Sequence, residues 1–199
     1  MADALLKTIN LNLPDSDIAY VPSFLGEQQA WNCFQNFKDT VPWRQDTITL
    51  FGKTHLQPRL TALYASNRKT YSYSNITMTP LPFSGELLRI KKEVDALAHQ
   101  NFTTCLLNLY RDGRDSNGWH ADDEKELGKN PVIASLSLGQ ERFFHLKHRR
   151  HKEVRHKILL EHGSLLLMRG ETQHHWLHQV PKTAKPIGER INLTFRVIP

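Results

Sequence analysis

Apolar residues recur at helical spacing early in the chain and alternate with polar ones later, so two helices should precede a run of short strands. Ala30, Trp31, Phe34 and Phe37 share one face of an amphipathic helix from about Gly26 to Lys38. A second helix starts near Ser84, a residue suited to an N-cap, and buries Leu87, Ile90, Val94 and Leu97. The polar stretch Met1 to Pro22, with Pro14, Asp15 and Asp17 marking loop, reads as an irregular lead-in. Thr47 to Lys53 is strand-like and stops at Gly52, where a turn is expected. From Phe102 onward the period becomes two. Cys105 to Tyr110 is one strand, and Val132 to Leu138 sets Val132, Ala134, Leu136 and Leu138 against Ile133, Ser135 and Ser137. Lys157 to Leu160 and Ser164 to Met168 flank a turn at His162-Gly163, and Arg190 to Ile198 closes the set. The pattern predicts a mostly β protein with flanking helices and a jelly-roll core. With no repeat or linker in 199 residues, a single domain over 23–199 is expected behind the 1–22 lead-in.

The last strand carries unusual chemistry. Ile191, Leu193, Phe195 and Val197 take one face, leaving Arg190, Asn192, Thr194 and Arg196 on the other. Six residues of strand span about 20 Å. Two arginines leaning inward from such a strand suit a short dicarboxylate, because the guanidinium forks onto a carboxylate bidentately. Upstream, His120 and Asp122 follow a turn-rich stretch containing Gly113, Ser116, Asn117 and Gly118, and ligands at i and i+2 can face one metal. A distal histidine would complete a facial triad, and His174, His175 and His178 are the candidates. Two imidazoles and one carboxylate hold Fe(II) on one side and leave three positions for a chelating co-substrate and dioxygen. Zinc accepts the same donors. The arginine face argues against it, since a hydrolase needs no dicarboxylate clamp.

A formal charge of +6 and a pI near 9.4 favour a polyanionic partner, although a soluble basic protein with no such partner has the same charge. Much of the excess lies between His145 and Lys157, where Lys147, Arg149, Arg150, Lys152, Arg155 and Lys157 face the single acid Glu153. That run fits a solvated loop, a nuclear address or a phosphate grip. Cys33 and Cys105 are too few for a disulfide framework and read as free thiols in a reducing compartment. No run of about 18 apolar residues occurs, and Met1 to Asn10 lacks the charged start and apolar stretch of a secretory signal. The expectation is a soluble intracellular monomer without a membrane partner, cytoplasmic in a bacterium and nuclear in a eukaryote.

Asn108-Leu109-Tyr110, His120 with Asp122, His178, and Arg190 with Arg196 occur in an order that resembles the AlkB-type 2-oxoglutarate and Fe(II)-dependent dioxygenases, especially those that dealkylate nucleic-acid bases. The resemblance runs from about Leu50 to the C-terminus, and the ordered set is far more specific than any one motif. It implies a double-stranded β-helix core. It also implies Fe(II) on His120, Asp122 and His178, the last chosen because His178-Gln179-Val180-Pro181 fits the family's His-x-x-Pro context. Asn108, Tyr110, Arg190, Asn192, Thr194 and Arg196 would then hold 2-oxoglutarate, with Asn108 beside Arg196 at one end and Tyr110 beside Arg190 at the other. Structural ion pairs are a second account of the arginines.

The resemblance extends to the substrate. Tyr71-Ser72-Tyr73-Ser74 puts two aromatics on one face of a strand, a pattern that by itself fits core or barrel lining; the resemblance matches it to a lid beside the base pocket and implies that Tyr73 stacks a flipped base against His120. Relatives often carry phenylalanine at the Tyr73 position. Asp123 or Glu124 would read the polar edge of the base. Leu50-Phe51-Gly52 resembles the apolar finger of duplex-acting members, in which Phe51 would fill the gap left by the base; a buried strand end is the alternative. Arg59 would contact the opposite strand. The implied activity is oxidative demethylation of N-alkylated bases such as 1-methyladenine and 3-methylcytosine in DNA, single- or double-stranded, with RNA as a second substrate. In this direct-reversal repair the methyl carbon is hydroxylated at the expense of O2 and 2-oxoglutarate and leaves as formaldehyde. A related oxygenase acting on tRNA or protein, and a nucleic-acid-binding module with a vestigial metal site, are the alternatives.

Overall fold

The alternation in the second half of the chain builds two antiparallel sheets, seen in a computed structural model that describes residues 6–50, 53–67, 71–73 and 76–198. The N-terminal half supplies β1 (Ile9–Asn10), β2 (Asp17–Val21), α1 (Glu27–Thr40), β3 (Thr47–Leu50), β4 (Lys53–Leu56), β5 (Leu60–Ala65), β6 (Tyr71–Tyr73), β7 (Ile76–Met78) and α2 (Gly85–Ala98). The C-terminal half supplies β8 (Thr104–Tyr110), β9 (Asn117–His120), β10 (Ile133–Gly139), β11 (Arg142–His148), β12 (Arg155–Leu160), β13 (Leu165–Arg169), α3 (Thr172–His175), β14 (Trp176–Val180) and β15 (Arg190–Arg196). A 7-stranded major sheet has the order β1-β2-β13-β10-β15-β8-β5, and a 4-stranded minor sheet the order β12-β11-β14-β9. The pairs β3-β4 and β6-β7 stand apart as small ribbons.

Strand parity decides what each face carries. Cys105, Leu107 and Leu109 of β8, Ala134, Leu136 and Leu138 of β10, and Ile191, Leu193 and Phe195 of β15 pack with α1 and α2 in one apolar cluster. The opposite parity faces the minor sheet. There Leu106, Tyr110, Ile133, Leu166 and Met168 meet Phe144, Leu146, Leu160, Trp176 and Val180 in a second cluster. Both faces of the major sheet are therefore covered, and every residue of β8, β10 and β15 is buried, polar ones included. The structure thus has the helix-flanked two-sheet sandwich expected of a jelly roll.

Several elements depart from the sequence expectation: β5, β11, β14 and α3 have no counterpart in it, and the charged run from His145 to Lys157, for which a solvated loop was one expectation, lies on β11 and β12 at its two ends. The lead-in 1–22 is not irregular throughout: β2 pairs with β13 from Asp17↔Arg169 to Val21↔Leu165, and Ile18, Ala19, Tyr20 and Val21 are buried. Covered on both sides, this strand shows a continuous apolar run rather than alternation. The strand expected over Thr47 to Lys53 is instead two, β3 and β4, paired from Thr47↔Leu56 to Leu50↔Lys53. Phe51 and Gly52 between them lie outside the described residues, as does Ser74.

Candidate metal and co-substrate site

β9 and β14 are neighbours in the minor sheet, and their register sets His120 directly opposite His178. Their Nε2 atoms approach to 3.2 Å. Asp122, two residues past His120, brings Oδ2 to 3.8 Å from His178 Nε2. One ligand atom from each of the three lies within 4.8 Å of the others. His174 and His175 lie elsewhere, on α3: His174 Nε2 meets Asn130 Oδ1 at 2.9 Å in an exposed position, and His175 lies 3.5 Å from Glu171.

The protonation states suit a divalent metal. Burial works against the Asp122 charge, but Arg196, His178 and His120 outweigh it and hold the carboxyl near 2. Burial lowers His178 to about 3, helped by His120, and also lowers His120, so both rings are neutral at physiological pH. His120 Nδ1 faces the Gly118 carbonyl at 2.7 Å, which makes Nδ1 the donor and leaves the Nε2 lone pair facing the cluster. Asn117 Nδ2 donates to that lone pair at 3.2 Å. An ionised carboxylate and two neutral imidazole Nε2 atoms converging at these distances fit an Fe(II) site.

The polar parity of β15 lines the same cavity. Arg196 Nη2 donates to Asp122 Oδ1 at 2.6 Å, so this arginine braces a candidate ligand. Arg190, 1 % exposed, donates from Nη2 to Ser137 Oγ at 2.9 Å, while its Nε and Nη1 meet no acceptor among the described residues. Burial pulls this guanidinium down to about 10, opposed by Tyr110, whose ring centre lies 5.2 Å from Arg190 Cζ. Buried guanidinium N–H groups without acceptors are costly, and a carboxylate would satisfy them. Asn192 and Thr194 are already engaged: Asn192 donates to Ser135 Oγ and the Leu136 carbonyl, and Thr194 donates to Asn192 Oδ1.

The pairing expected for the clamp is half altered. Tyr110 does stand opposite Arg190, but Asn108 stands opposite Asn192 and not beside Arg196. Four residues of strand, about 13 Å, separate those two positions. Asn108 Oδ1 instead accepts from Arg59 Nε at 2.8 Å. Arg59 is 4 % exposed, also donates to the Ser116 carbonyl, and lines the cavity, so it is not on an outer surface open to an opposite nucleic-acid strand. Tyr71 and Tyr73 lie on β6. Asp123 is exposed and paired at 2.5 Å with Arg149, which competes with any base edge, and Glu124 is half-buried beside it. Gln173, absent from the sequence expectation, accepts from the Asp122 backbone N–H at 2.9 Å across 51 residues of chain. Phe144 stacks on His178 at 5.1 Å. No local pattern marks Gln173, whereas Ser135 and Ser137 were visible as the polar parity of β10.

This geometry belongs to a known class: the chain is a member of the 2OG-Fe(II) oxygenase superfamily, whose model matches residues 17–196. Among individual relatives, it is 40% identical over 223 residues to the DNA oxidative demethylase ALKBH2 of Arabidopsis thaliana, covering 96% of this chain and 69% of that protein. It is 41% identical over 192 residues to the alpha-ketoglutarate-dependent dioxygenase alkB homolog 3 of Bos taurus, covering 92% of this chain and 66% of the relative. The chain thus spans about two thirds of the length of these proteins. The solved structure of OsALKBH1 superposes with a TM-score of 0.67 at 16% identity, covering 90% of this chain and 97% of that one, a likeness of fold.

Proposed function

We propose that this chain removes alkyl groups from N-alkylated bases such as 1-methyladenine and 3-methylcytosine in DNA, with RNA as a second substrate class. The observation that carries the reading is one cavity holding His120, Asp122 and His178 beside two Arg190 N–H groups that meet no acceptor among the described residues. The three ligands would hold Fe(II), and iron with O2 and 2-oxoglutarate supplies the oxidising chemistry when bound. Around it, Arg196 keeps the Asp122 carboxylate charged and oriented, the Gly118 carbonyl fixes the His120 tautomer, and Arg190 with Tyr110 offers the far end of the cavity to a carboxylate. Leu106, Phe144, Leu160 and Met168 supply apolar wall that excludes water. Tyr71, Tyr73 and Ser74 are the proposed base-handling segment, and Phe51, 20 residues earlier in the sequence, is the proposed gap-filling residue. The names of the relatives support DNA as the substrate class. An intracellular monomer is part of the same proposal. Among the described residues no helix is long and apolar enough to cross a membrane.

The test is restoration of a 1-methyladenine oligonucleotide, single- and double-stranded, followed by chromatography of the base and formaldehyde release with Fe(II) and 2-oxoglutarate present. His178→Ala should abolish turnover, and His174→Ala should retain most of it. Consumption of 2-oxoglutarate without base restoration would move the substrate to tRNA or protein. Absence of any consumption by iron-loaded protein would favour a binding module.

A further inference from the structure

The four strands of the minor sheet, Asn117–His120, Arg142–His148, Arg155–Leu160 and Trp176–Val180, contain no aspartate or glutamate. Their inner parity carries His120, Phe144 and His178 toward the cavity. The outer parity follows from the register: Lys147 is paired with Arg155 and Leu177, His145 with Lys157 and Gln179, and Phe143 with Leu159. Arg155 and Lys157 are exposed, and two aromatic rings stand out of the same face, Phe143 at 44% and Trp119 at 37% exposure. Each ring presents its flat side: Lys157 Nζ lies 4.4 Å over Phe143, and Lys147 Nζ lies 4.3 Å over Trp119.

A sheet face whose own strands carry no acid, bordered by Glu141 beside Phe143 and Leu159, with solvent-facing aromatic rings and lysines interleaved, has the chemistry of a single-stranded nucleic-acid platform: bases stack on the rings and cations track the phosphates. We propose that the outer face of the minor sheet, on the reverse side from the cavity, binds the unpaired DNA flanking the target base. The inference rests on the proposed action on nucleic acid. Stacking on a base outweighs an exposed cation–π contact, so a base displaces the lysine, which then stays close enough to meet its phosphate. Between Phe143 and Lys147 the sheet offers about 13 Å of strand, room for a short run of nucleotides. β9 is the edge strand, with His120 on its inner face and Trp119 on its outer one, so a polynucleotide rounding that edge passes from the site to the platform. An acidic protein segment would satisfy the lysines but leave the rings without stacking partners.

The test uses the full chain and a fluorescein-labelled, unmethylated 20-nucleotide single strand, read by anisotropy across a salt series, so it needs no turnover and survives failure of the repair reading. Phe143→Ala should weaken binding roughly tenfold through the lost stacking partner. The double variant Lys147→Ala with Lys157→Ala should reduce the slope of log affinity against log salt by about 1.4, at about 0.7 per lost contact with a single strand. Polyglutamate should compete far less well than unlabelled oligothymidylate. Unchanged affinity in Phe143→Ala together with an unchanged salt slope in the double variant, both with wild-type melting curves, would overturn the proposal. Equal competition by polyglutamate would also overturn it, in favour of an acidic protein.

Discussion

Arg190 and Arg196 share one strand face and are held by opposite means. Arg196 spends a donor on Asp122, within the protein, whereas Arg190 keeps two N–H groups without acceptors among the described residues. Replacing Arg190 with lysine should therefore act on the co-substrate: the 2-oxoglutarate requirement should rise at least tenfold, since a lost charge-assisted bond is worth roughly 1.5–3 kcal/mol and a point charge cannot fork. A titration of turnover against 2-oxoglutarate, beside a thermal melt, checks this. An unchanged requirement with a markedly lower melting temperature would make Arg190 a structural ion. That both arginines point inward was legible from the alternation around them. Their partners were not, because Asp122 lies 74 residues from Arg196, and the Arg59–Asn108 bond spans 49. Only the fold brings such groups together, and so Arg59 could not be placed indoors from sequence.

At the scale of elements, the two long helices and the central strands of the major sheet were legible, since one shows a 3.6-residue period and the other a period of two, whereas β11 and β14 inside the minor sheet were not. β2 was hidden. Its five residues follow two loop-marking residues, Pro14 and Asp15, and its burial on both faces erases the alternation that announces a half-exposed strand. β2 covers an edge of β13 and places Ile18 in the inner cluster, opposite Met168. Ile18→Ala should thus cost about 2–5 kcal/mol, the range for truncating a buried isoleucine. Urea unfolding measures it as a shift in midpoint at constant slope. A change under 0.5 kcal/mol, of the size seen at surface positions, would mean that β2 only lies on the sheet without being part of its core.

For the molecule as a whole, the major sheet divides the interior into a dry layer beneath the helices and a polar chamber facing the minor sheet. Both cysteines lie in the dry layer, Cys33 on α1 and Cys105 on β8, each 0% exposed. Burial pushes the Cys33 thiol up to about 12, reinforced by Glu86, and raises Cys105 as well. Neither should ionise at pH 8, because both folded values lie above it, and neither is accessible. A disulfide exchange reagent should accordingly count no thiols in the native protein at pH 8 and two after denaturation. Native-state labelling of Cys33 without loss of secondary structure would show that α1 separates from the sheet independently. Cys105 sits in an apolar run, whereas Cys33 follows Asn32, and the layer they share exists only once β8 and β15 are paired in register beneath α1.

β15 lies between β10 and β8 and assigns its odd-numbered side chains to the helices and its even-numbered ones to the chamber. Written this way, the strand carries two interleaved messages that can be edited separately: a substitution at Asn192 or Thr194 leaves the apolar message intact, and one at Leu193 leaves the arginines facing inward. Insertion or deletion of a single residue is another matter. It would exchange the two readings downstream, turning guanidinium groups into the apolar layer and leucine or phenylalanine into the chamber. The segment is therefore built to tolerate change of letter far better than change of frame.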